Sequence, residues 1–325
     1  MKRRRRLAML LTASVLVVGA IAAGCDDDDD GGDDGSSGEE TSETTGGNLS
    51  GSVLIDGSST VFPLSGAAAE GFKDVESGVS VEVRSSGTGG GFEVFCTGET
   101  DISNASRPIK DEEAETCASN GVEYEEIRVG SDGITVVTGA NSPVEGDLTI
   151  DQLNQIWNPD SSVGNWSELG FDDAPLTLAG PDDQSGTYDF FNEEVLGEDA
   201  EGETITPRSD YTASADDNVI VNAVTGAEAG LGYFGYSYFS ENTDILKAFS
   251  IDGVEPTVES INADEYPLSR PLFIYVSKSQ LADKPELGAF VTYYLENAIE
   301  LAESVDVVPA PQDALDAGLA AIAAS

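Results

Sequence analysis

Three short segments of this 325-residue chain place clustered hydroxyls and glycines directly before a stretch with helical spacing, a combination suited to holding an anion. The first, Asp56-Gly57-Ser58-Ser59-Thr60, precedes Val61 to Phe72, where Pro63 suits a first helical turn and Leu64, Ala68 and Phe72 share a face. The second, Ser85-Ser86-Gly87-Thr88-Gly89-Gly90-Gly91, reads as a loop before Phe92 to Cys96. The third, Gln184-Ser185-Gly186-Thr187, precedes Tyr188 to Leu196 and is closed by Gly197. Backbone N–H groups at a helix start have no intrahelical partner and sit at the positive end of the dipole, so they bind anions without a basic side chain. Ser and Thr are also ordinary helix caps and Gly an ordinary turn residue. Capping alone, however, does not require clustered hydroxyls and repeated glycines three times in one chain.

Other chemistry is excluded by what is missing. The sequence has no His, which removes a Ser-His-Asp triad, a His general base and every His-containing metal site. Gly87 to Gly91 lacks the Lys-Ser/Thr ending of a nucleotide-binding P-loop, and no Lys stands near these segments to activate a Ser. No acidic run has the spacing of a calcium loop. Neither catalysis nor a bound metal or cofactor is expected.

The elements that must position the three segments alternate. Ser52 to Ile55, Val79 to Val83, Gly133 to Val137, Leu176 to Ala179 and Leu272 to Val276 read as strands. Val61 to Phe72, Ile150 to Trp157, Tyr188 to Leu196, Asn218 to Thr225 and Leu287 to Leu301 read as helices. That alternation predicts an α/β fold with a mostly parallel sheet, whose ligands bind where loops leave the carboxyl ends of strands.

Residues 1–24 read as an export signal: Lys2 and Arg3 to Arg6, an apolar run from Leu7 to Ala23, and Ile21-Ala22-Ala23-Gly24-Cys25, which resembles a lipobox with Cys25 as the lipidated residue. The Arg run leaves Sec and Tat export both open. Residues 25–48, rich in Asp, Gly, Ser, Glu and Thr, read as a disordered tether. The signal holds five of the 15 basic residues, leaving ten against 61 acidic ones and a mature charge of −51. Such a surface argues against nucleic acid or anionic lipid as partner, both of which need clustered Lys and Arg, and suits a halophilic source. Of three cysteines, Cys96 and Cys117 remain as a pair, which in an exported chain is expected to form a disulfide.

With these residues in view, the chain resembles the phosphate-binding lipoproteins, extracytoplasmic receptors of the phosphate ABC transporter. The resemblance is carried in order by Asp56 to Pro63, by Asp101-Ile102-Ser103-Asn104-Ala105-Ser106-Arg107-Pro108, by Ser185-Gly186-Thr187 and by Gly230-Leu231-Gly232-Tyr233-Phe234-Gly235-Tyr236, and runs from about Gly51 to about Ala310. It implies a type II periplasmic-binding fold: two α/β lobes joined by two crossing strands, with the ligand in the interlobe cleft. The crossings fall near Gly133 to Thr138 and near Ser269 to Val276, making residues 49–132 and 270–325 lobe 1 and residues 133–269 lobe 2.

Carried over by position, Ser59, Thr60 and Val61 of the first segment, Ser86 or Thr88 of the second, Ser106, and Ser185, Gly186 and Thr187 would meet phosphate. Many family members carry an Arg four residues before Ser-Gly-Thr. Here that position is Pro181, so Arg107 is the expected cation, with Arg84 as runner-up. The family's Asp, which accepts the phosphate proton, aligns with Ser106, leaving Asp56, Asp132 or Asp183 as the acceptor. The implied partners are inorganic phosphate, the membrane permease subunits and, through Cys25, the membrane, with the receptor a monomer. Two readings stand beside it: a receptor for sulfate, molybdate or tungstate, and a surface adhesin presenting Trp157, Trp166 and Tyr233 to Phe239.

Overall fold

The computed structural model describes residues 49–200 and 202–325. The export signal, Cys25 and the tether lie outside the described residues.

The elements begin with β1 (Gly51–Gly57), α1 (Phe62–Val75), β2 (Val79–Val83), α2 (Gly87–Phe95), β3 (Ile102–Ala105), α3 (Asp111–Ser119) and β4 (Tyr124–Gly139). They continue with β5 (Asp147–Leu148), α4 (Ile150–Trp157), a 3-10 turn (Trp166–Leu169), β6 (Thr177–Gly180), α5 (Gly186–Phe191) and a π turn (Asn192–Leu196). Next come β7 (Thr212–Ala213), α6 (Asp217–Gly226), β8 (Gly230–Gly235), α7 (Tyr236–Glu241), β9 (Leu246–Ala248), β10 (Ser250–Ile251) and α8 (Val258–Asn262). The chain closes with β11 (Ser269–Ser277), α9 (Lys278–Asp283), α10 (Pro285–Glu296), α11 (Ala298–Ser304), β12 (Val308–Pro309) and α12 (Gln312–Ala324).

One sheet runs β2-β1-β3-β11-β4-β8-β6-β7, with β9 and β12 also on β4. Its outer pairs, β1 with β2 and β3 and β6 with β7 and β8, are parallel. Its centre is antiparallel, because β11 returns against β3 and β4, and β4 against β8. The expected mostly parallel sheet is corrected at these two long strands. β4 does double duty. Its first part pairs with β11 from Tyr124 to Gly133, and its last part with β8 and β9 from Ile134 to Gly139.

Each end of β4 enters a different core. Ile127 and Val129 pack with Val53, Ile55, Leu64, Ala68, Phe72 and Phe290, whereas Ile134 and Val136 pack with Trp157, Trp166, Phe191 and Tyr233. The expected face of α1 is therefore the buried one, Leu64 and Phe72 each contributing about 1.5–3 kcal/mol of transfer free energy. Of the aromatic set offered as an adhesive face, Trp157, Trp166, Tyr233 and Phe234 are almost wholly buried and belong to the interior, while Tyr236, Tyr238 and Phe239 are half-buried.

Three expected boundaries shift. The glycine-rich stretch does not precede α2 as a loop; from Gly87 onward it forms the first turns of that helix. The helix from Tyr188 starts earlier, at Gly186, and changes to π winding at Asn192. The long helix from Leu287 breaks at Asn297. Cys96 and Cys117 are disulfide-bonded, tying the end of α2 to α3. Among the described residues no helix is long and apolar enough to cross a membrane.

Candidate functional site

The first segment leaves β1 at Gly57 and turns into α1 under tight backbone control. Ser58 N–H donates to the Asn104 carbonyl at 2.9 Å. The Asp56 carboxylate accepts from Gly57 N–H at 2.8 Å and from Ser86 N–H at 3.0 Å, fastening the first segment to the second. Behind them, a Cβ on Gly91 would lie 2.5 Å from Gly57 Cα. Only glycine lets α2 press against β1 here, which is why a glycine-rich stretch of poor helix propensity is nonetheless helical.

At the start of α2, the Thr88 and Ser106 hydroxyls are 3.1 Å apart, and Ser106 N–H donates to Thr88 Oγ1 at 3.2 Å. The third segment comes from the other core. Ser185 caps α5 by accepting from Thr187 N–H at 3.2 Å, and a Cβ on Gly186 would be 3.5 Å from Thr60 Oγ1. The three segments thus line one cleft of about 500 Å³.

Of the expected contact residues, Ser59, Thr60, Thr88, Ser106, Arg107 and Gly186 line this cleft, together with Ser58, Gly87 and Gly89. Val61, Ser86, Ser185 and Thr187 adjoin it without lining it. Val61 caps α1 with its side chain in the core, and Ser86 and Ser185 occupy the caps of α2 and α5.

One of the two guanidiniums in the lining is a residue that sequence reasoning missed. Arg270, at the start of β11, lines the cleft with its side chain only 13% exposed. Its Nη2 donates to Thr60 Oγ1 at 2.7 Å, and Nε and Nη2 each approach Asp132 Oδ2 at 3.2 Å. Asp132 is its register partner across β4 and β11. The guanidinium stands 3.9 Å from the Phe190 ring centroid, and Nη1 is 3.8 Å from Glu193 Oε2. The available signal was an Arg at the head of the second crossing strand, opposite an Asp in the first.

Arg107 also lines the cleft, but its fork is engaged elsewhere, with Nη1 and Nη2 each 2.8 Å from the Glu113 carboxylate oxygens. Burial pushes the Glu113 carboxyl up, yet the Arg107 fork and the Lys110 N–H outweigh it and hold the group below its ordinary value. Arg84 pairs with Glu82 on the exposed surface, outside the lining.

The three carboxylates named as acceptors sit otherwise than expected. Asp56 is occupied by backbone N–H groups, Asp132 by Arg270, and Asp183 is exposed outside the lining. The acids that do line the cleft are Asp189, Glu193 and Glu194, brought there by α5 and the π turn. Burial raises the Asp189 and Glu194 carboxyls above their ordinary values, against the pull of Arg270.

A cleft lined by hydroxyls, glycines and the Arg270 and Arg107 guanidiniums, on a mixed α/β sheet centred on β4 and β11, belongs to a solute-binding protein with the type II periplasmic-binding fold. A family profile described as the PBP superfamily domain matches residues 39–298. The chain is 43% identical over 275 residues to Protein SphX of Synechococcus elongatus, covering 82% of this chain and 79% of that protein. It is 37% identical over 275 residues to Phosphate-binding protein PstS of Staphylococcus saprophyticus, covering 82% of each. The crystal structure of a possible phosphate binding protein from Planctomyces limnophilus matches with a TM-score of 0.78 at 42% identity, covering 85% of this chain and 99% of that one. The chain belongs to the PBP superfamily and, within it, to the PstS family of transporter substrate-binding proteins, which are receptors and not enzymes.

Proposed function

We propose that this protein is an extracytoplasmic receptor that captures inorganic phosphate in the cleft and delivers it to an ABC importer. The observation that carries the reading is the convergence of the Thr60, Thr88 and Ser106 hydroxyls, Gly186 and the Arg270 guanidinium on one cleft. Neutral donors and one guanidinium not neutralised by a bidentate partner can hold an anion in a partly desolvated site although the chain carries a formal charge of −46, because a surface field is screened by salt while short hydrogen bonds are not. The names of the PstS relative and of the Planctomyces limnophilus structure support phosphate as the ligand.

Residues 49–132 with 270–325 form one lobe and 133–269 the other, hinged at β4 and β11 and closing over the anion. Phosphate meets Ser59, Thr60, the Val61 N–H, Ser86 or Thr88, Ser106, Ser185, Gly186 and Thr187, with Arg270 as the cation and Arg107 at the rim. Lipidation at Cys25 anchors a monomeric receptor beside its permease subunits, and the acidic surface adapts it to high salt.

The test is calorimetric titration of the protein with phosphate and sulfate in high-salt buffer, after unfolding and refolding to strip bound ligand. Saturable phosphate binding supports the reading. Silence to phosphate from folded protein refutes it.

A further inference from the structure

A relay of side-chain hydrogen bonds spans the crossing strands, and none of its members lines the cleft. Arg128 of β4 donates through Nη1 to Asp264 Oδ2 at 3.0 Å and through Nη2 to Asp264 Oδ1 at 2.8 Å, a bidentate pair two residues beyond α8. The same Nη2 donates to Ser131 Oγ at 2.7 Å, and the Ser131 hydroxyl donates to Asn262 Oδ1 at 2.6 Å. Asn262 Nδ2 then donates to the Pro309 carbonyl of β12 at 3.1 Å. Ser131 is wholly buried, and Asp264 holds a left-handed φ of 56°, a conformation that Asp and Asn tolerate.

Successive residues of a strand point to opposite faces, so Ser131 faces away from Asp132, which meets Arg270 at the cleft. Beside it runs β12, with Val308 opposite Ser131. Val307 and Ala310 enter the core that holds Ile127 and Val129, whereas Val308 enters the core that holds Ile261. The links from Arg128 to Asp264, from Ser131 to Asn262 and from Asn262 to Pro309 each pass from one lobe to the other. They are formed while the cleft is narrow, a Cβ on Gly186 falling 3.5 Å from Thr60 Oγ1.

We infer that Arg128, Ser131, Asn262 and Asp264 form a clasp behind the hinge that favours the closed form, and so sets how long the anion is held without touching it. This rests on the two-lobe, phosphate-binding reading. Rotation about β4 and β11 changes the separation of groups on opposite lobes. A bidentate fork and a buried hydroxyl relay have narrow geometry, so opening the cleft breaks bonds that closure restores. A ligand gripped only by the closed form binds with an apparent affinity scaled by the population of that form, which the clasp raises.

The experiment measures phosphate affinity by calorimetry and phosphate release by stopped flow, on the ligand-stripped wild type, Asp264→Asn, Ser131→Ala and the double variant. Asn keeps the left-handed backbone at 264 and removes the charge of the pair. Each single variant raises Kd about fivefold or more, through faster release. The double variant raises it by less than the product of the two, because both break one relay. Misfolding lowers the number of sites per protein and not the affinity of those that remain, so the two effects are read apart. Folded single variants that keep the wild-type Kd and release rate, or that bind more tightly, overturn the inference and leave the phosphate reading intact. Wild-type protein that binds no phosphate overturns both.

Discussion

Arg270 Nη2 donates to Thr60 Oγ1 at 2.7 Å across 210 residues of sequence, joining the head of β11 to the first hydroxyl segment. Asp132 on the neighbouring strand and the Phe190 ring fix the same guanidinium, so its geometry is set before an anion arrives. Preorganisation of this kind lowers the ordering cost of binding.

Replacing Arg270 by Gln should weaken phosphate binding by about 1.5–3 kcal/mol, the loss expected for a hydrogen bond to a charged group. Arg270→Lys keeps the charge but not the planar fork and should fall between the two. Calorimetric titration measures both, and unchanged affinity in Arg270→Gln would remove this residue from the site.

Thr60→Val keeps the side-chain shape and removes the hydroxyl that meets Arg270. An affinity loss of about 1–2 kcal/mol is expected, with little change in folding stability, since Thr60 is only partly buried. Equal losses in binding and in urea-unfolding stability would instead mark Thr60 as structural.

Asp56 holds the Gly57 and Ser86 N–H groups and so fastens two walls of the cleft. Asp56→Ala leaves both donors without that partner and should lower unfolding stability by about 1–3 kcal/mol. Asp183→Ala, on the exposed side of the third segment, should stay within about 0.5 kcal/mol of the wild type. Thermal and urea unfolding of the two variants would separate the roles.

Burial, with the Asp306 and Asp216 carboxylates facing it, pushes the half-buried Asp217 carboxyl up to about 6. The folded protein therefore favours the protonated form, and this contribution to stability is present below the unfolded value of 3.8 and lost as pH rises through about 6. Asp217→Asn should stabilise the protein by about 1 kcal/mol near pH 8, once solvent screening is allowed for, and by little near pH 4. Equal effects at both values would contradict the charge argument.

What could be read from the sequence was what is encoded locally. The first and third segments carry their caps, turns and hydroxyls within a few residues, and both line the cleft through Thr60 and Gly186. The second was misread as a loop because glycine is a poor helix former, whereas the contact between Gly91 and Gly57 that requires it spans two elements. Arg270 was hidden because its position follows from the register of β11 on β4. Asp189 and Glu194 reach the rim of the cleft through the winding of α5 and the π turn, which no local motif encodes. Asp56, read as a ligand acceptor, holds two backbone donors on its Oδ1, an engagement that no spacing rule reveals.

The central claim is tested most directly by a crystal structure of the protein grown with phosphate after stripping. The account predicts one tetrahedral anion in the cleft, within hydrogen-bond distance of Thr60, the Gly186 region and the Arg270 guanidinium. An empty cleft, or an anion bound away from Arg270 and Thr60, would contradict it.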